Sequence, residues 1–458
     1  MSAHAQEMAS AAWTAIGGEP AALAALGFAG EGALPSTFAV SDLAAATVGV
    51  AALAVGELVQ VLGGPLPAAA VDRRLASFWF AKSIRPIGWR LPPTWNALAG
   101  DYAAADGWIR LHTNAPHHRA AAERVLGRAR DKTEMARAVA RWRAEDLESA
   151  VVDEGGCAAV MRARRDWESH PQGGAVGAEP LAHLVATDRA PERAWASTPA
   201  RPLAGVKVLD LTRVLAGPIA SRFLAGYGAT VLRIDPPDWN EPAIIPEVTP
   251  GKRCARLDLR DPGGRSRFEA LLAEADVLLC GYRADALDRL GYGAAARRAI
   301  TPGLIDVRLD AYGWTGPWSR RRGFDSLVQM SSGIAEAGMR WKAATEPVPL
   351  PVQALDHATG YLLAASTIRA LTLRVTRRQG TQARLSLART AKLLIDQGEG
   401  FSAPPFAPQT AADLAPEIEL TPWGEARRLI PPVAIDGVPM RWDSPAVNLG
   451  SAEPAWPT

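Results

Sequence analysis

The chain has 458 residues, 50 basic against 48 acidic, with 48% hydrophobic and 21% charged positions. This is the make-up of a globular chain with a large core and length for two or three domains. The balanced charge excludes bulk attraction to nucleic acid or membrane, so any anion site has to be local.

Three well-separated cysteines, Cys157, Cys254 and Cys280, provide neither a metal cluster nor a disulfide framework. They suit a reducing, cytoplasmic setting. The start "MSAHAQEMASAAW" has no basic segment followed by an apolar one, so no signal peptide is expected.

Residues 1–67 read as an N-terminal helical segment. Its apolar run "LAAATVGVAALAVGELV" (43–59) is Ala- and Gly-rich, which fits a buried core helix better than a membrane span. Residues 68–187 form a small domain. In it "GDYAAADGWIRLHTN" (100–114) predicts a hairpin, 116–150 is helical, 154–163 turns into a short strand or helix, and 170–180 is loop. A Pro/Ala/Ser/Thr linker covers 188–202. Over 203–400 the pattern changes to strands, "GVKVLDLT", "TVLRIDPP", "DVLLCGY" and "GLIDVRLDAYG", alternating with helices such as 263–275. That alternation predicts a parallel, doubly wound α/β sheet. Residues 401–458 are expected as an extension packing on this large domain.

In such a sheet ligands bind beyond the carboxyl ends of the strands. The first end is "TRVLAGP" (212–218), where Gly217 and Pro218 turn the chain into a helix whose free N–H groups suit phosphate. The dinucleotide and P-loop glycine patterns are absent, which disfavours a plain nicotinamide or ATP site. "PGKRCARLDLRDPGGR" (250–265) and "YGWTGPWSRRRGFDSLVQMSSG" (312–333) cluster arginines beside Gly turns and aromatics. Together they suit a polyphosphate ligand with an apolar tail.

"VPLPVQALDHATGYLLAAS" (348–366) sets Asp356 and His357 where extended chain becomes helix. Two readings stand: Asp356 caps the helix, or the joint aims its carboxylate into a cleft. The segment 38–58 echoes 352–372 when Asp42 is laid on Asp356.

The blocks "PLAGVKVLDLTRVLAGP", "LAGYGATVLRID", "GKRCARLDLRDPGGR", "LLAEADVLLCGYRADALDRLGYG", "YGWTGPWSRRRGFDSLVQMSSG" and "LDHATGYLLAASTIRAL" follow one another over roughly 200–390. In order and spacing they resemble the family III coenzyme A transferases, the CaiB/BaiF group. The resemblance implies an α/β fold, a Rossmann-like parallel-sheet large domain with a smaller α+β domain, in interlocked homodimers. It implies CoA and acyl-CoA as substrates beside a carboxylic acid, with no metal, redox cofactor, nucleic acid or membrane. The aspartate that forms a mixed anhydride and then an aspartyl-CoA thioester falls on Asp356, with Asp325 as an accessory acid. CoA contacts fall on Arg213, Leu215, Ala216, Leu257, Arg260, Gly281, Tyr282, Arg289 and Arg322.

Leu215, Pro236 and Gly281 depart from residues that relatives carry, so acyl specificity does not transfer. The related racemases use a histidine where this chain has Phe324, which cannot move a proton and so disfavours racemisation. A non-catalytic CoA-binding protein is the other alternative. The small domain precedes the large one instead of following it, which suggests a permuted or truncated-tandem order and leaves Asp42 as a second candidate aspartate.

Overall fold

The computed structural model describes residues 3–193 and 195–457. Met1 and Ser2 at the start, Ala194 in the expected linker, and Thr458 in the extension lie outside the described residues.

A seven-stranded sheet organises the second half. Its strands are β1 (His183–Arg189), β2 (Lys207–Leu211), β3 (Thr230–Asp235), β4 (Lys252–Arg256), β5 (Val277–Cys280), β6 (Ile305–Asp310) and β7 (Gln379–Ser386). The order is β4-β3-β2-β5-β6-β7-β1, parallel throughout except for the antiparallel edge strand β1. The central strands are buried on both faces, and so read in the sequence as short apolar runs. One expectation shifts here. Residues 183–189, assigned to the small domain by their position before the linker, pair with β7 and close the edge of the large sheet.

The N-terminal half contributes a smaller sheet-and-helix layer. Strands Leu26–Ala29 and Ala69–Asp72 pair in parallel across helix Val40–Val61, and Val433–Ile435 from the C-terminal segment adds an antiparallel edge. Helix Val40–Val61 is long and apolar enough to cross a membrane, but 83% of its most apolar window is buried inside the protein. It packs along helix Ala354–Arg377, and Arg369 ties the pair together through an ion pair to Glu57 at 2.7 Å. The predicted hairpin is present as Gly100–Ala103 and Trp108–Leu111, with Ala158–Val160 as third strand. Residues 170–180, expected as loop for their glycines, hold helix Pro171–Ala178 instead. The His170 imidazole caps it, Pro171 starts it, and a Cβ at Gly173 would stand 1.7 Å from the Trp167 carbonyl, so packing demands glycine there.

The C-terminal segment does not pack on the large domain alone. Strand Gly424–Arg428 pairs with Ile84–Pro86 of the N-terminal half, and the Trp442 indole stacks on Trp79 while donating to the Arg222 carbonyl. All three parts meet at one buried carboxylate. Glu247 accepts from Ser83 N and Oγ and from the Arg222 guanidinium, and Arg428 lies 3.7 Å away. Burial would raise its pKa, but Arg222, Arg428 and Ser83 outweigh it and hold the carboxyl at about 2. Removing one member strands a buried charge, so Glu247→Ala is expected to cost about 3–5 kcal/mol in chemical denaturation. A depressed carboxylate pKa contributes stability that is present above the unfolded value. Stability of the natural protein should therefore drop as pH falls from about 4.5 towards 2, with a shallower slope in the variant.

Candidate functional site

The carboxyl ends of β2, β5 and β6 open into a cavity of about 310 Å³, which Asp356 also lines. Its size and position are those of a ligand site at the ends of parallel strands.

The approach of Asp356 to this place is a packing result. Helix Ala354–Arg377 lies across helix Ala216–Gly226, and a Cβ at Gly360 would stand 2.6 Å from the Ala216 carbonyl. Glycine one turn beyond Asp356 thus lets the two helices meet backbone to backbone, with Asp356 and Ala216 on one cavity wall. At that bend a Cβ on Gly217 would stand 2.3 Å from Thr212. Between them Val214, a β-branched residue, sits at φ 62°, a strained conformation on the cavity wall.

Asp356 is not a helix cap. It is the third residue of its helix, and the capping is done from outside by Asp325. Asp325 Oδ2 accepts from Leu355 N at 2.8 Å and Asp356 N at 3.0 Å, while Oδ1 accepts from the Gln329 amide. Gln329 in turn accepts from Leu350 N at 2.7 Å, which fixes the lead-in. Asp325 is fully buried, and burial pushes its carboxyl up to about 6 against these three donors. Asp356 is 8% exposed, and burial followed by the Asp325 charge pushes its pKa well up. The two acids have separate tasks: one holds the helix end, the other faces the cavity.

The walls are cationic and aromatic. Arg213 lies between Trp239 and Tyr282, 4.5 and 4.7 Å from their ring centres. Arg322 donates to the Gly155 carbonyl, and burial and Arg283 lower its pKa. Arg321 is paired with Glu148 at 3.1 Å and stacks 3.9 Å over Trp318. Arg213, Arg283 and Arg322 are the lining guanidiniums that suit anionic groups of a ligand.

Of the residues that the family resemblance marks, Arg213, Ala216, Gly281, Tyr282, Arg322 and Asp356 line the cavity. Leu215 is the buried residue preceding helix Ala216–Gly226. With Leu215, three more do not line the cavity. Leu257 packs on the apolar layer beneath the sheet, Arg260 is exposed and paired with Asp258 at 2.9 Å, and Arg289 is paired with Asp285 at 2.6 Å. His357 points away, buried against Phe80 with ring centres 5.0 Å apart.

The sequence reading missed His117 and His118, which start helix Pro116–Leu126 in the N-terminal half and reach the cavity. Their only signal was a histidine pair beside an aromatic stretch. Burial, then His117 and Arg322, push His118 down to about 3. Phe324 separates the acid pair from this group, its ring parallel to His112 at 3.8 Å. Asp310, Arg283 and Leu387 were likewise not singled out: Asp310 ends a strand, Leu387 starts a helix, Arg283 lies in a short loop, and each looks ordinary in sequence.

The Asp42 segment repeats this construction with a different ending. Ala39 (φ −75°, ψ 57°) and Gln353 (φ −74°, ψ 63°) make the same inverse γ-turn, with Val40 N bonded to Phe38 O and Ala354 N to Val352 O. Each aspartate is the third residue of its helix, each helix leads into a parallel strand, and each strand ends on a capping residue, Asp72 or Ser386. The next residue is Arg73 in one copy and Leu387 in the other. Arg73 is paired with Asp42 at 2.7 Å and donates to the Gly30 carbonyl at 3.0 Å. Leu387 lines the cavity beside Asp356. Asp42, fully buried, is therefore neutralised inside the protein.

Residues 203–399 match the family described as CoA-transferase family III. An acetyl-coenzyme A transferase of Hypoxylon pulicicidum is 35% identical over 183 residues, 39% of this chain and 31% of that protein. A succinyl-CoA–D-citramalate CoA-transferase of Chloroflexus aurantiacus is 33% identical over 149 residues, 30% of this chain and 37% of the relative. The solved structure of a CaiB/BaiF family protein from Brucella suis covers 49% of this chain and 65% of its own, at 26% identity and a TM-score of 0.39. The chain thus spans only about a third of the length of these two curated relatives. On the strength of these blocks, residues 203–399 belong to CoA-transferase family III.

Proposed function

We propose that the protein moves coenzyme A from an acyl-CoA thioester to a free carboxylic acid, with Asp356 as the nucleophile. The observation that carries this is the contrast between the two aspartates. Asp42 is ion-paired and closed off, whereas Asp356 faces a cavity walled by arginines, and none of these is ion-paired with it. The family of residues 203–399 and the CoA-transferase names of its relatives support the same reading.

The chemistry follows from a carboxylate placed against a thioester. Asp356 oxygen attacks the acyl carbonyl, the C–S bond breaks, and an acyl–aspartyl anhydride forms with the CoA sulfur as leaving group. That sulfur then attacks the aspartyl carbonyl, giving an aspartyl-CoA thioester and the first acid. An incoming carboxylate reverses these steps to become the new acyl-CoA. Arg213, Arg283 and Arg322 hold the anionic end of CoA, and the strained Val214 turn leads into helix Ala216–Gly226, whose uncapped N-terminus favours developing negative charge.

Asp356→Ala should abolish exchange of label between an acyl-CoA and its free acid, and no CoA adduct should appear on the protein by mass spectrometry. Asp42→Asn should keep turnover within about threefold while lowering stability by about 3 kcal/mol, since it uncouples Arg73. The opposite pattern would assign the chemistry to Asp42. Arg213→Ala should raise the KM for acyl-CoA about tenfold or more, with a smaller change in KM for the free acid.

The pH dependence has a definite sign. Asp356 attacks in its ionised form, so the rate falls as pH falls through its raised pKa. Asp325→Asn removes the neighbouring charge but keeps an oxygen for the helix end. The acid limb of kcat/KM should then move down by about one pH unit, and an unmoved limb would exclude coupling between the two acids.

A further inference from the structure

A second carboxyl group faces the same cavity. Asp310 ends β6, is 6% exposed, and lines the cavity with Asp356. Its Oδ1 accepts from Tyr312 N at 2.8 Å and Gly313 N at 3.1 Å, so the carboxyl plane is fixed by backbone. A turn of this kind needs one side-chain oxygen, which serine or asparagine would supply equally well. The turn therefore does not account for an acid at this place, nor for its second oxygen.

The charged groups around it are few. Arg308 acts from a distance, its Nη2 donating to the Ala284 carbonyl, and Glu179 is held by Trp314 N and Thr315 N. Asp356 and the lining arginines face it across the cavity. Burial pushes the Asp310 carboxyl up to about 8; the two N–H groups and Arg308 pull it down, and Glu179 adds to the rise. A carboxyl raised this far holds its proton towards neutral pH and comes within reach of the range of a thiol, about 8.5 for cysteine. Proton exchange between a carboxyl raised in this way and a thiol is far less uphill than for an ordinary carboxyl, which favours acid–base work in both directions.

We propose that Asp310 keeps the coenzyme A thiol in the site between the two halves of the exchange, as its proton donor and acceptor. This rests on the transferase reading above. When Asp356 oxygen bonds to the acyl carbon and the C–S bond breaks, the sulfur takes the proton from the Asp310 O–H, leaving CoA thiol and Asp310 carboxylate. When sulfur bonds to the Asp356 carbonyl carbon and the anhydride C–O bond breaks, the acid leaves as carboxylate and the thiol proton returns to Asp310. No proton is gained or lost overall. The thiolate is never free to leave as an anion.

The test uses the full chain with acetyl-CoA and succinyl-CoA as probes. It follows the CoA adduct on the Asp356 peptide by mass spectrometry and free thiol by a colorimetric reagent, from pH 6 to about 9.5. In the natural protein, adduct formation should fall as pH rises through about 8, because the donor is lost. Asp310→Asn and Asp310→Ser both keep an acceptor for the turn. They should form the adduct about a hundredfold more slowly, lack the alkaline fall, and release more free CoA thiol per adduct. Variants that load at the natural rate, or that keep the alkaline fall, overturn the role of Asp310 while leaving Asp356 in place. A natural protein that forms no adduct on Asp356 with either probe overturns the transferase reading and this inference with it.

Discussion

The site depends on two backbone N–H groups held by a side chain from another element. Asp325 Oδ2 takes Leu355 N and Asp356 N, so the first turn of helix Ala354–Arg377 is anchored to helix Asp325–Ser331 and not to its own preceding residue. Gln353 offers no side-chain cap, and the backbone enters through a γ-turn. Without the external carboxylate the helix would begin on unsatisfied donors in a buried place, which is costly. The same contact sets Asp325 against Asp356, and the charge that closes the helix end raises the proton affinity of the acid beside it. Structural need and chemical tuning come from one group.

Helix Ala354–Arg377 has to be held this firmly because it serves both halves. It packs on helix Val40–Val61 along one side and on helix Ala216–Gly226 along another, where Gly360 permits backbone contact. The N-terminal half then reaches over the cavity with His117 and His118, through the buried joint in which Arg162 and Arg321 share Glu148. The family match covers residues 203–399, and this wall lies outside it.

Much of this was legible in sequence, for physical reasons. Strands buried on both faces spell short apolar runs, and Gly217–Pro218 marks a strand-to-helix bend, so five of the seven strands and their ligand edge were readable from 205–310 alone. What was not readable depended on distance in space. Asp325 looked like an accessory acid, and its capping of another helix appears only once residues 325 and 355 are brought together. Helix Pro171–Ala178 hid behind three glycines, since glycine there answers to the Trp167 carbonyl and not to a loop. The edge strand His183–Arg189 is mostly solvent-facing and lacks the apolar run that gave away its neighbours.

The two Asp-bearing helices carry the argument furthest. They share turn, helix position, a following strand and a capping residue after it, so local structure does not decide which acid faces the cavity. The residue after the cap does. At Arg73 a guanidinium pairs with the fully buried Asp42 at 2.7 Å and occupies the side from which a ligand would approach. At Leu387 the same place is apolar, so Asp356 is desolvated without compensation and a neighbouring acid disfavours its charge further. A carboxylate kept in that condition is a stronger nucleophile once ionised, because little solvation has to be stripped from it. One side-chain difference in a repeated frame thus separates an acid closed off by an ion pair from an acid that faces the cavity.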